Sequence, residues 1–111
     1  MTEVDTTAYT KVCALDDLTP GRPAAADVDG VTVALVRTGE HVYAVDDTCT
    51  HASVSLSEGE VDGCTIECWL HGSRFDLRTG RPTGPPATLP VATYPVTIDA
   101  GEVYVCVNQE S

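Results

Sequence analysis

Two short clusters of cysteine and histidine could do chemistry in this sequence. Cys49-Thr50-His51 comes first, and Cys68-Trp69-Leu70-His71 follows after sixteen intervening residues. Each loop can aim one thiolate and one imidazole at a common metal centre. Two thiolates and two imidazoles suit Zn²⁺ in a tetrahedral S₂N₂ site. They suit equally a [2Fe–2S] cluster with Cys49 and Cys68 on one iron and His51 and His71 on the other. Ligand type alone leaves both open. Structural zinc modules, however, usually pair like with like at each end of the motif. A mixed pair in each loop lets each loop serve both metals of a two-iron cluster.

The elements that must hold these loops read as short strands. No window sustains a period of 3.6, and β-rich runs punctuated by glycine and proline recur instead. "YTKVC" (9–13) and "AAADV" (24–28) are the first two. Asp29-Gly30 is a two-residue hairpin signal leading into "VTVALVR" (31–37), and Thr38-Gly39-Glu40 turns the chain into "HVYAV" (41–45). Near the far end, "TYPVTI" (93–98) and "VYVCV" (103–107) flank a turn at 99–102, and Pro95 marks an edge or a bulge. The expected fold is all-β, an antiparallel sandwich or small barrel. Residues 46–91 hold all four ligand candidates and read as a site-bearing subdomain inserted on that scaffold. Residues 1–8 and 108–111 read as loose ends.

Composition bounds the function. The 111 residues, 42% of them hydrophobic, fit one globular domain spanning 1–111. No apolar run is long enough for a membrane span, and "MTEVDTTAYTKV" lacks the order of a secretory signal, so a cytoplasmic location is expected. A formal charge of −11 argues against nucleic acid or an anionic membrane as partner. It favours docking to a basic protein face, and it also keeps a small protein soluble. Five cysteines in such a chain read as metal or redox chemistry rather than a disulfide framework.

The pattern Cys49-x-His51 … Cys68-x-x-His71, with "HGSRFDLRTGRPTGPPA" (71–87) after it, resembles the Rieske-type ferredoxins, the electron-carrier components of bacterial ring-hydroxylating dioxygenase systems. The resemblance extends more weakly over residues 9–107. It implies one [2Fe–2S] cluster, with Cys49 and Cys68 on an inner iron and His51 and His71 on an outer one near the surface. It also implies that electron and proton uptake are coupled at alkaline pH through the second histidine nitrogens. High-potential members carry a disulfide between the ligand loops and a tyrosine hydroxyl bonded to a ligand cysteine. The matching positions here are Val54, Leu70 and Phe75, while Ser73, the other hydroxyl of that set, is present. A low potential is expected, near about −150 mV.

The rest of the chain lacks the parts for substrate chemistry. With His51 and His71 committed, only His41 remains, so a two-histidine, one-carboxylate iron site cannot be assembled, and no Gly-x-Gly-x-x-Gly motif is present. The expectation is an electron carrier and not an enzyme. It would be a monomer taking single electrons from an NAD(P)H-dependent flavoprotein reductase and passing them to a terminal non-haem iron oxygenase. Members of the family also resemble the small subunits of NADH-dependent nitrite reductases. Two alternatives are a zinc-stabilised β module for protein binding and an accessory Rieske subunit linked to iron–sulfur cluster assembly.

Other residues are read against simpler roles. Cys64 is expected to be a small apolar residue on the strand entering the second loop, and Cys13 and Cys106 to be core. His41 is expected at the surface, and Trp69 to pack over the ligand loop. Pro85 and Pro86 would stiffen a cover loop. Asp46, Asp47, Glu58, Glu60 and Asp62 form an expected acidic rim, and Arg74, Arg78 and Arg81 make the docking face mixed.

Overall fold

The computed structural model describes residues 9–39, 41–48, 55–69, 72–84 and 89–107. Its strands, in chain order, are β1 (Thr10–Ala14), β2 (Ala24–Val28), β3 (Val31–Thr38), β4 (His41–Asp46), β5 (Glu60–Asp62), β6 (Thr65–Glu67), β7 (Arg74–Asp76), β8 (Thr93–Tyr94), β9 (Val96–Asp99) and β10 (Glu102–Val105). All pairings are antiparallel, in three sheets ordered β1-β10-β9, β2-β3-β4-β8 and β5-β6-β7.

The layering follows from β3. Val33, Ala34, Leu35 and Val36 are all buried, although successive side chains of a strand point to opposite faces. A strand buried on both sides belongs to a middle layer. On one face Val33, Leu35, Val42 and Ala44 pack with Val103 and Val105 of the β1-β10-β9 sheet. On the other, Ala34, Val36 and Val45 pack with Leu56, Ile66, Cys68, Phe75, Leu77 and Val91. The central sheet thus serves two cores, and the second takes in Leu56 and Cys68, which flank the stretches that carry the other ligand candidates.

The hairpins are where turn chemistry places them. Val28 pairs with Val31 across Asp29 (φ 50) and Gly30 (φ 87), both left-handed, as a type I′ turn requires. Asp99 pairs with Glu102 across Ala100 (φ 55) and Gly101 (φ 78) in the same way. The run 93–98, expected as one strand, is two. Pro95 separates Thr93–Tyr94, paired to β4, from Val96–Asp99, paired to β10. A residue without an N–H breaks the ladder there, and the chain changes sheets at that point. The final strand starts one residue earlier than expected and ends at Val105, before Cys106.

The larger departure lies within 46–91, which contains the β5-β6-β7 sheet and a 3₁₀ turn at Leu56–Glu58. Three-residue strands are too short to show a period. Gly59 marks how tightly they pack, since a methyl there would overlap the carbonyl oxygen of Glu67 on β6. The expected loose ends, 1–8 and 108–111, lie outside the described residues. No helix among the described residues is long and apolar enough to cross a membrane.

Candidate metal centre

Of the four candidate ligands, Cys68 is described; Cys49, His51 and His71 lie outside the described residues, as do Val54, Leu70, Pro85 and Pro86. The structure nevertheless defines the roots of the loops that carry them. The 49–54 segment is closed by a bridge between Thr48 and Ser55. Behind it, Asp47 is buried, its backbone carbonyl accepting the Leu56 N–H at 2.6 Å and its carboxylate accepting the Ser57 N–H at 2.8 Å. The main chain after the loop is thereby folded onto the residue before it. Leu56 then enters the same buried cluster as Cys68, which brings the ends of both loops to one core.

The second loop springs from the β6–β7 hairpin. Cys68 N–H donates to the Ser73 carbonyl at 2.6 Å, and Gly72 N–H donates to the Cys68 carbonyl at 3.0 Å. These bonds fix the backbone on both sides of residues 69–71. Cys68 and Ser73 are fully buried, as are the neighbouring Phe75 and Ile66. A third segment is tied to the same hairpin. Phe75 bridges Pro82, and Thr83 N–H donates to the Arg74 carbonyl at 2.8 Å, just before residues 85–88.

The donor chemistry fits an iron–sulfur site. Cys68 offers a soft sulfur donor in an apolar core, and the sequence of the two segments rooted there carries one more thiol and two imidazoles as candidate donors. No group of three metal-ligating side chains occurs among the described residues alone, so no second centre competes with the Cys/His loops there. Cys64 is half-buried. It occupies the turn between β5 and β6 rather than a strand, and its carbonyl accepts the Leu77 N–H. The extended chain from Cys64 to Cys68 spans roughly 13 Å at strand rise. Cys106 is buried as expected, while Cys13 is half-buried against the first core. Burial, and then the charges of Asp17 and Glu102, push the Cys13 thiol above its ordinary pKa, which keeps it protonated and unreactive.

Several charged residues are not where the sequence reading puts them. Asp47 is a buried cap and not part of a rim. Asp46 is half-buried, accepting from Thr48 N–H at 2.9 Å and from the Tyr94 hydroxyl at 3.3 Å. Burial together with that carboxylate raises the Tyr94 pKa. The exposed acids are Glu58, Glu60 and Asp62. Arg74 is paired with Glu67 at 3.1 Å and Asp62 at 3.7 Å, and Arg78 with Asp76 at 3.0 Å. Arg81 remains exposed and forms no ion pair among the described residues. Trp69 is 51% exposed, and residues 70 and 71 beside it lie outside the described residues. His41 is exposed and stacks on Tyr43, with ring centroids 6.5 Å apart.

A β scaffold that brings the roots of both Cys/His segments to its second core is a setting in which an iron–sulfur domain can be built. Residues 8–95 match the family model "Rieske [2Fe-2S] domain", and the chain belongs to that family. It is 44% identical over 98 residues to Ferredoxin CarAc of Metapseudomonas resinovorans, covering 87% of this chain and 92% of that protein. The solved ferredoxin of carbazole 1,9a-dioxygenase from Nocardioides aromaticivorans IC177 is 46% identical, with a TM-score of 0.86, over 88% of this chain and 96% of that one. A chain in the complex of reduced oxygenase and oxidized ferredoxin in carbazole 1,9a-dioxygenase is 41% identical, with a TM-score of 0.87, over 94% and 97%. Family membership decides between the two cofactors that ligand type left open, in favour of one Rieske-type [2Fe–2S] cluster.

Proposed function

We propose that this chain is a low-potential Rieske ferredoxin in which Cys49, His51, Cys68 and His71 hold the cluster and residues 1–111 act as one domain. When bound, the cluster supplies a one-electron couple. The observation that carries the reading is Cys68, a fully buried thiol at the root of a loop closed by reciprocal backbone bonds, inside a matched Rieske domain. Burial of Cys68 among Phe75, Ile66 and Leu56 keeps water from that side of the site, and the fixed backbone spares reorganisation when charge changes. His51 and His71 would present the opposite edge to solvent, where a free ring nitrogen can hold or release a proton. Phe75, buried in the apolar cluster, offers no hydroxyl to withdraw charge from a ligand sulfur, which keeps the potential low.

The carrier takes electrons from an NAD(P)H-dependent flavoprotein reductase and delivers them to a terminal oxygenase. The solved structures of ferredoxins of carbazole 1,9a-dioxygenase support this reading, one of them in complex with the oxygenase. The protein works as a cytoplasmic monomer, with an exposed docking edge that includes Trp69, Glu58 and Glu60. Iron and acid-labile sulfide analysis of the purified protein tests the cofactor assignment. Equal amounts of iron and sulfide are expected, falling to background in Cys68→Ser; one zinc without sulfide would overturn it. Protein-film voltammetry tests the potential, and a midpoint well above zero would sink the low-potential claim.

A further inference from the structure

The second ligand loop carries at its root a side-chain pair that ligation alone does not require. Glu67 and Arg74 are directly opposite each other on β6 and β7, immediately before Cys68 and immediately after Ser73. Arg74 Nη2 lies 3.1 Å from Glu67 Oε1. The other oxygen, Glu67 Oε2, lies near Gly72, since a methyl built there would stand 3.5 Å from it. One carboxylate therefore spans from the root to the residue after His71.

Both partners are held from behind. The Glu67 carbonyl fills the space that a side chain at Gly59 would need. The Arg74 carbonyl accepts Thr83 N–H at 2.8 Å and Thr83 Oγ1 at 3.4 Å, fastening the segment that leads to Gly84. Arg74 Nη1 is 3.7 Å from Asp62, whose side chain is 83% exposed, against 30% for Glu67. The Glu67 contact is thus the better shielded and shorter half of the network.

We propose that the Glu67–Arg74 ion pair is a positioning clasp at the root of the second ligand loop, tying together the strand ends on either side of it and cancelling a carboxylate charge next to Cys68. This rests on the Rieske reading of that site. The clasp acts in two ways that can be separated. As a tether it slows separation of the β6 and β7 ends that flank Cys68 and Ser73, and so slows cluster loss. As a charge pair it sets the local field, because an uncompensated negative charge disfavours uptake of an electron and an uncompensated positive charge favours it.

Arg74→Gln, Glu67→Gln, the double variant and Arg74→Lys are compared with the parent holoprotein. Midpoint potential is read by voltammetry, and cluster half-life by bleaching under a chelator. Arg74→Gln is expected to move the midpoint more negative and Glu67→Gln more positive, with the double variant and Arg74→Lys near the parent. Each single neutral variant should shorten the half-life by about two- to fivefold, the range a partly exposed ion pair supports. The double should lose no more than either single, since both remove one shared interaction. Singles whose midpoints stay put or move together would overturn the clasp, as would half-life losses that multiply in the double. A parent protein lacking the reduced Rieske EPR signal would instead overturn the underlying reading, and the clasp with it.

Discussion

Replacing Asp47 with alanine should unfold this protein more readily than its place in an acidic stretch suggests. The carboxylate is buried, and its Oδ1 accepts the Ser57 N–H at 2.8 Å, where the chain leaves the first ligand loop. A hydrogen bond to a charged group contributes about 1.5–3 kcal/mol, and a buried N–H left without a partner costs in the same range. Asp47→Ala should therefore lose about 2 kcal/mol. With a urea slope of about 2 kcal/mol/M for a chain of this size, the midpoint falls by about 1 M. Asp47→Asn keeps an acceptor oxygen and should lose roughly half as much. Glu60→Ala, at an exposed position shortly after Ser57, should stay within about 0.5 kcal/mol. Urea titrations followed by circular dichroism, with slopes compared, read all three. Asp47→Ala matching Glu60→Ala would refute the assignment of Asp47 as a cap and return it to the docking surface.

Three further outcomes follow from the same structure. Phe75→Ala empties a fully buried site in the cluster that contains Cys68, and should cost about 3–5 kcal/mol in thermal or urea unfolding, with faster cluster loss. The Arg78 side chain, with its backbone N–H, holds the Asp76 carboxyl below its ordinary range. The stability from that bond is present above the ordinary carboxylate pKa and lost as pH falls through the lowered one, so Arg78→Met should flatten the acid limb of a stability-against-pH curve. If the exposed acids Glu58 and Glu60 steer docking, rising ionic strength should slow reduction by a flavoprotein ferredoxin reductase, and an unchanged stopped-flow rate would remove that role.

What the sequence made legible divides by physical cause. The two type I′ hairpins were readable because turns with positive φ at both central positions select residues such as Asp-Gly, and the Ala100-Gly101 turn has glycine at its second position. The run of 31–37 signalled a strand, but its burial on both faces, and hence the second core, comes only from the layers packed against it. The β5-β6-β7 sheet was missed because three-residue strands carry too few alternations. Asp47 was misplaced because a run of acids says nothing about which carboxylate turns inward to cap a chain. The same limit applies to Arg74 and Arg78, whose partners sit on neighbouring strands or two residues away. Ligand spacing was legible because the loops must deliver fixed residue types to one centre, whatever the scaffold does.

The central claim, that mixed Cys/His loops rooted at Cys68 hold a Rieske cluster, is tested most directly by the EPR spectrum of the dithionite-reduced protein. A rhombic signal with the low average g of a cluster ligated by both cysteine and histidine is the expected result, and it should disappear in Cys68→Ser. An EPR-silent sample containing zinc, or a signal that survives loss of Cys68, would contradict it.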